Sequence, residues 1–81
     1  MMNLNRLRVF RHVYETTSVS EAARALNLTQ PPVTRMLRAY EEDVGFKLFT
    51  RGRGRLVPTP EADLLYRDVV AVFDGLDALE R

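Results

Sequence analysis

Cysteine and tryptophan are absent from this 81-residue chain, and lysine and histidine occur once each. Without cysteine there is no disulfide framework and no thiolate metal site. The lone His12 has no second histidine or cysteine with which to build a metal or nucleophile site, and it falls on the outer face of a helix. It reads as a solvated surface residue. Gly52 and Gly54 lack the strand–loop–helix setting that a phosphate-binding loop needs. Together these absences argue against an enzyme and predict no cofactor. No stretch approaches the ~18 apolar residues of a membrane span, and no apolar segment of the secretory kind follows the start. The expectation is a soluble, cytoplasmic protein with no membrane partner. A chain of this length makes one small domain with a modest core, so association with a second copy is expected.

The charge is small in sum and uneven in placement. The net charge is +1. Residues 1–60 carry 10 basic and 5 acidic side chains, whereas residues 61–81 carry 2 and 6. Of the 12 basic residues, 11 are arginine. The rigid fork of arginine donors suits phosphates and guanine edges. A basic body with an acidic tail suggests a nucleic-acid module joined to a segment that avoids the polyanion.

The apolar spacing predicts four helices and a hairpin. Leu4, Leu7, Phe10, Val13 and Tyr14 mark a first helix over 4–16. Ser18 and Glu21 form a capping box ahead of Val19, Ala22, Ala23 and Leu26, a short second helix. After the brief "NLT", Val33, Met36, Leu37, Tyr40 and Val44 mark a third helix that ends at Gly45. Two helices joined by so short a turn make a helix-turn-helix. Next, Phe46–Phe49 and Leu56–Val57 predict the two strands of a hairpin whose tip is Arg51-Gly52-Arg53-Gly54-Arg55. Such a hairpin is a wing.

Thr59-Pro60-Glu61 is a helix start, with a threonine cap, proline at the first helical position and glutamate in the first turn. Ala62, Leu65, Val69, Val72, Leu76 and Leu79 then alternate in steps of three and four, as in a coiled-coil seam. Tyr66, Val70 and Phe73 form a second stripe. The expectation is that one stripe packs on the domain while the seam pairs two copies, parallel or antiparallel.

With the apolar stripe of the third helix turned inward, Pro31, Arg35, Arg38 and Glu42 point outward, flanked by Pro32 and Thr34. Donors gather in the N-terminal half and acids (Glu41, Glu42, Asp43) in the C-terminal half. The N-terminal residues of the second helix contact base edges in helix-turn-helix docking. Gln30, Pro31, Pro32, Thr34, Arg35 and Arg38 are therefore the candidate base readers, with Arg38 and Glu42 spaced for an ion pair. Prolines are tolerated in a first turn because the N–H groups there lack intrahelical acceptors. They also offer a stiff apolar surface to a thymine methyl.

The spacing of Leu7, Phe10, Val13, Ser18, Ala22-Ala23, Leu26, Thr29-Gln30-Pro31, Glu41, Gly45, Leu48-Phe49 and Arg51 resembles the N-terminal DNA-binding domain of LysR-type transcriptional regulators. The resemblance spans essentially the whole chain. It implies a mainly α fold, with a winged helix-turn-helix over 1–58 and a linker helix over 59–81 that pairs two subunits. It implies a C-terminal effector-binding domain that this chain lacks, and with it a small-molecule effector and tetramers only in a full-length regulator. It also implies that Ser18, Ser20 and Thr29 contact phosphates and that Arg51, Arg53 and Arg55 reach the minor groove or its phosphates. The DNA partner would be an interrupted inverted repeat in duplex DNA. Three positions depart from the pattern: Thr17 stands where glycine is frequent, Thr34 where serine is usual, and Glu61-Ala62 where Ala-Gly is frequent. The alternative is a helical interaction module whose basic face is incidental.

Overall fold

The computed structural model describes residues 3–81. In chain order the elements are α1 (Leu4–Thr16), α2 (Val19–Ala25), α3 (Gln30–Val44), β1 (Phe49–Arg51), β2 (Leu56–Pro58) and α4 (Pro60–Glu80). The fold is mainly helical with one antiparallel hairpin.

Local chemistry sets the element ends. The Asn3 side-chain oxygen accepts from the Asn5 and Arg6 amides at 3.0 and 3.3 Å and caps α1. At the other end Thr17 adopts φ +55°, and its N–H reaches the Val13 carbonyl at 2.8 Å. That left-handed conformation costs an L-residue other than glycine roughly 1–2 kcal/mol, so Thr17 holds a backbone that glycine would adopt without strain.

Ser18 caps α2 by accepting from the Glu21 amide at 3.1 Å. The reciprocal half of the predicted capping box is replaced, because the Ser18 N–H donates to Thr16 Oγ1 at 3.3 Å. Asn27, at φ +59°, lets the Leu28 N–H turn back to the Ala23 carbonyl at 2.8 Å. This closes the turn of the helix-turn-helix.

Two apolar clusters meet on α1. Val9 and Val13 pack with Ala22, Ala23, Val33 and Leu37, which joins α1, α2 and α3. Leu7 and Phe10, from the neighbouring face, pack with Leu48, Ala62 and Val69. Phe49 packs against both clusters. Phe10 is fully buried and meets Tyr40 edge-on with ring centroids 5.9 Å apart. Truncating so buried a phenylalanine to alanine costs about 3–5 kcal/mol, a large part of a small domain's stability.

Two sequence expectations need correction. The first strand begins at Phe49, not at Phe46. Phe46 is exposed, and Leu48 is a fully buried core anchor rather than a strand residue. The hairpin pairs Phe49 with Pro58, Thr50 with Val57 and Arg51 with Leu56. The second correction concerns α4. Ala62 and Val69 lie in the domain's own core, and Leu65 and Val72 pack half-buried against it. Tyr66 and Phe73, from the other stripe, pack there too. Both stripes therefore face inward along the first part of the helix, and the first turns of α4 share one core with α1 and Leu48. The two stripes are adjacent around the helix, so one broad contact covers both.

Candidate nucleic-acid interface

The first turn of α3 is built without the usual cap. Thr29 is the N-cap residue, yet its side chain makes no capping hydrogen bond. The reason lies in the sequence. An N-cap oxygen accepts from the second or third helical N–H, and those positions are Pro31 and Pro32, which have none. Thr29 is exposed, and its hydroxyl has no hydrogen-bond partner among the described residues. Gln30, Pro31, Arg35 and Arg38 are exposed along the same helix, and Pro32 and Thr34 are half-buried beside them.

The C-terminal half of α3 is committed to the fold. The Glu41 carboxylate accepts from the Leu48 amide at 2.8 Å, with Lys47 Nζ at 4.0 Å. Asp43 pairs with Arg6 of α1, whose guanidinium lies over the Tyr40 ring at 5.8 Å. The three acids oppose the helix macrodipole, and two of them are explained by these tertiary bonds. The anticipated Arg38–Glu42 pair does not form; the ion pairs among the described residues are Arg6–Asp43, Arg11–Glu15 and Lys47–Glu41.

The wing is anchored at its base and open at its tip. The Leu56 N–H donates to the Thr17 carbonyl at 3.1 Å, which ties the hairpin to the α1–α2 turn beside Ser18. Thr59 donates through its hydroxyl to the Lys47 carbonyl at 2.7 Å and accepts from the Ala62 amide at 3.2 Å, so it closes the wing and starts α4 together. At the tip the Gly52 N–H meets the Arg55 carbonyl at 2.9 Å, and Gly54 takes φ +73°. A Cβ on Gly52 would come within 2.7 Å of the Val57 side chain, so any larger residue there would force that side chain to shift. Arg51, Arg53 and Arg55 are all exposed. Ser18 and Ser20 place their hydroxyls 3.1 Å apart at the start of α2.

The arginines fall into two classes. Those of α1 have partners inside the domain: Arg6 with Asp43, Arg8 with Asn5 and the Phe73 ring, Arg11 with Glu15 and the same ring. Among the described residues, the guanidinium groups of Arg35 and Arg38 of α3 and of Arg51, Arg53 and Arg55 of the wing have no hydrogen-bond or ion-pair partner. The side chains of Arg24 at the end of α2, and of Arg67 and Arg81 in the acidic C-terminal segment, have none either. Sequence reasoning did not single out Arg24, which sits in the last turn of α2, at the negative end of that helix. No three histidine, aspartate or glutamate side chains come together as metal ligands would among the described residues. No helix among them is long and apolar enough to cross a membrane.

Residues 4–63 match the family described as "Bacterial regulatory helix-turn-helix protein, lysR family". The chain belongs to this family. It is 39% identical over 79 residues to the HTH-type transcriptional regulator DgcR of Pseudoalteromonas sp, covering 98% of this chain and 27% of that protein. It is 40% identical over 78 residues to the transcriptional activator protein LysR of Escherichia coli (strain K12), covering 96% of this chain and 25% of that protein. The chain thus spans about a quarter of the length of these relatives. Among solved structures, the DNA-binding domain of BenM in complex with catB site 1 DNA superposes with a TM-score of 0.91 at 33% identity, covering 96% of this chain and 88% of that one. The lysR-family chain described here has the winged helix-turn-helix of those DNA-binding domains.

Proposed function

We propose that this lysR-family domain reads operator DNA as a dimer, with α3 in the major groove and the wing at the adjacent minor groove. The observation that carries the reading is the division of the arginines. Those that face α4 and α3 from α1 are bonded within the domain, whereas those on α3 and the wing project without internal partners. Gln30, Thr34, Arg35 and Arg38 supply donors to base edges, and Pro31 and Pro32 supply apolar contact. Ser18, Ser20, Thr29 and Arg24 supply phosphate contacts that fix register without reading sequence. BenM, a relative of the same fold, is bound to DNA in its crystal structure.

The dimer reading moves to the outer face of α4. With Ala62, Val69 and their neighbours occupied inside the domain, Leu64, Ala71 and Ala78 align at seven-residue intervals on the opposite face. Leu64 is 62% and Leu79 83% exposed. A partner helix laid on that face would bury them. Of the predicted seam, Leu79 borders that face, whereas Leu76 continues the inner stripe of Ala62 and Val69. The domain acts as a binder and not as an enzyme, in the cytoplasm, where the operator is. In a full-length regulator an effector would bind beyond this segment, and tetramers would form there. Two recognition helices related by a two-fold axis would meet half-sites about one helical turn apart, or a multiple of it. The test is titration with duplex DNA at low and moderate salt. Affinity should fall steeply as salt rises, because phosphate contacts release counterions. A stable dimer without DNA affinity would favour a protein-interaction module instead.

A further inference from the structure

We propose that Tyr14 and Tyr66 form a crossed clamp that sets the angle between α4 and the helix-turn-helix, and through it the half-site spacing that the dimer accepts. The inference rests on the reading that α4 pairs two copies on DNA. The two rings stack with centroids 4.0 Å apart and planes 10° from parallel. Tyr14, on α1, donates its hydroxyl to Asp63 Oδ1 of α4 at 2.7 Å. Tyr66, on α4, donates to the Glu15 carboxylate of α1. Each helix thus gives one hydroxyl and one carboxylate. The same Glu15 oxygen accepts from Arg11 Nε at 3.1 Å, which fixes the acceptor in turn.

Apolar burial alone does not define this angle sharply, because it is non-directional. Beneath the tyrosines Leu7 and Phe10 of α1 pack with Ala62 and Val69 of α4, with Leu4, Leu65, Val72 and Phe73 beside them, and none of these apolar contacts carries a hydrogen bond's direction. The crossed hydrogen bonds supply it. Turning α4 about its axis, or sliding it along α1, lengthens at least one of them. Phenylalanine at both positions would keep the stack, so the direction comes from the hydroxyls. The lever is long. The 21 residues of α4 extend about 31 Å, so a tilt of about 6° moves the far end by about 3.4 Å, the rise of one base pair. Spacing selectivity at single-base-pair resolution therefore requires that this angle be held.

The test compares the wild type with Tyr14→Phe, Tyr66→Phe and the double variant. The duplexes carry the inverted repeat recovered from a random DNA pool, with spacers differing by single base pairs, and a single half-site. The double variant should stay folded, with a thermal midpoint lowered by the loss of the two hydroxyl bonds, and should keep its dimer mass and its half-site affinity. Its preference for the best spacer over spacers one base pair longer or shorter should shrink about tenfold, as expected for losing two modest hydrogen bonds. Glu15→Gln, which keeps an acceptor for Tyr66, should retain most of the preference. The single variants keep the comparison intact if the double variant folds poorly. An unchanged spacer preference in the Tyr→Phe variants overturns the clamp, as does a loss of half-site affinity equal to the loss on the full repeat. A wild-type protein that binds DNA as a monomer overturns the dimer reading itself, and the half-site titration separates that failure from the first two.

Discussion

Glu41 Oε2 lies 2.8 Å from the amide nitrogen of Leu48, seven residues on. This bond joins the C-terminal half of α3 to the segment that leads into the wing. Leu48 is fully buried, so without Glu41 its N–H loses its acceptor away from water. Glu41→Ala should therefore cost about 1–3 kcal/mol of unfolding free energy, measured by urea denaturation. Glu41→Gln keeps an acceptor and should cost less. Equal losses in the two variants would mean that the charge near Lys47 matters, and not the acceptor.

The two arginine classes should separate in DNA binding. Arg35→Ala should weaken binding to the preferred operator by about 1–3 kcal/mol and flatten base preference at one position. Arg53→Ala should weaken binding to all sequences alike and lower the salt slope by about one contact. Both are read by titration of specific and scrambled duplexes across a salt series. A uniform loss from Arg35→Ala would make it a phosphate contact.

Opposite faces of α4 should respond differently to the same chemistry. Val69→Asp places a charge in the core beside Leu7 and Phe10 and should leave the chain unfolded by circular dichroism. Leu64→Glu and Ala71→Glu lie on the outer face and should preserve the fold while shifting the sedimentation mass from dimer toward monomer. A dimer that persists in both outer-face variants would show that another surface joins the copies.

Thr17 offers a gain in stability. It holds φ +55° as a β-branched residue. Thr17→Gly removes the left-handed penalty and adds glycine's unfolded-state entropy, for a net gain of about 0.5–1 kcal/mol. Thermal unfolding should show a raised midpoint. A lowered midpoint would mean that the hydroxyl bond to the Thr16 carbonyl, 2.6 Å long, outweighs the backbone strain.

The clamp between α1 and α4 also predicts a pH window. The Tyr66 hydroxyl bond holds the Glu15 carboxyl below its ordinary value of 4.5, aided by the hydrogen bond from Arg11 and the positive charges of Arg11 and His12. A depressed carboxyl pKa stabilises the fold above the unfolded value, and that stability is lost as pH falls through the folded one. The Tyr14 and Tyr66 hydroxyls are raised above 10, first by their bonds to Asp63 and Glu15. Their contribution is present below 10 and is lost as pH rises through the folded values. Thermal midpoints should therefore fall in acid below 4.5 and again in alkali above 10. Glu15→Gln should flatten the acid limb, and a limb of unchanged steepness would place the acid sensitivity elsewhere.

Much of this architecture is legible in the sequence, and the exceptions share a cause. Ser18, Thr59 and Gly45 announce helix ends because capping is local chemistry, and the α2–turn–α3 spacing is a local pattern. Tertiary choices are less visible. The three- and four-residue spacing of Ala62, Leu65, Val69 and Val72 marks an apolar stripe, but not what the stripe meets. Here it meets Leu7 and Phe10, more than 50 residues earlier in sequence. Glu41 looks like a surface acid until Leu48 is folded against it. The unused cap of Thr29 could have been read in advance, because Pro31 and Pro32 remove the donors it would serve.

The account is tested most directly by selecting duplexes from a random-sequence DNA pool with the purified domain. The prediction is enrichment of two inverted half-sites, about one helical turn apart or a multiple of it, with the Arg35→Ala variant losing preference at one position in each half. Recovery of sequences no different from the starting pool, at a salt concentration where the protein is folded and dimeric, would contradict it.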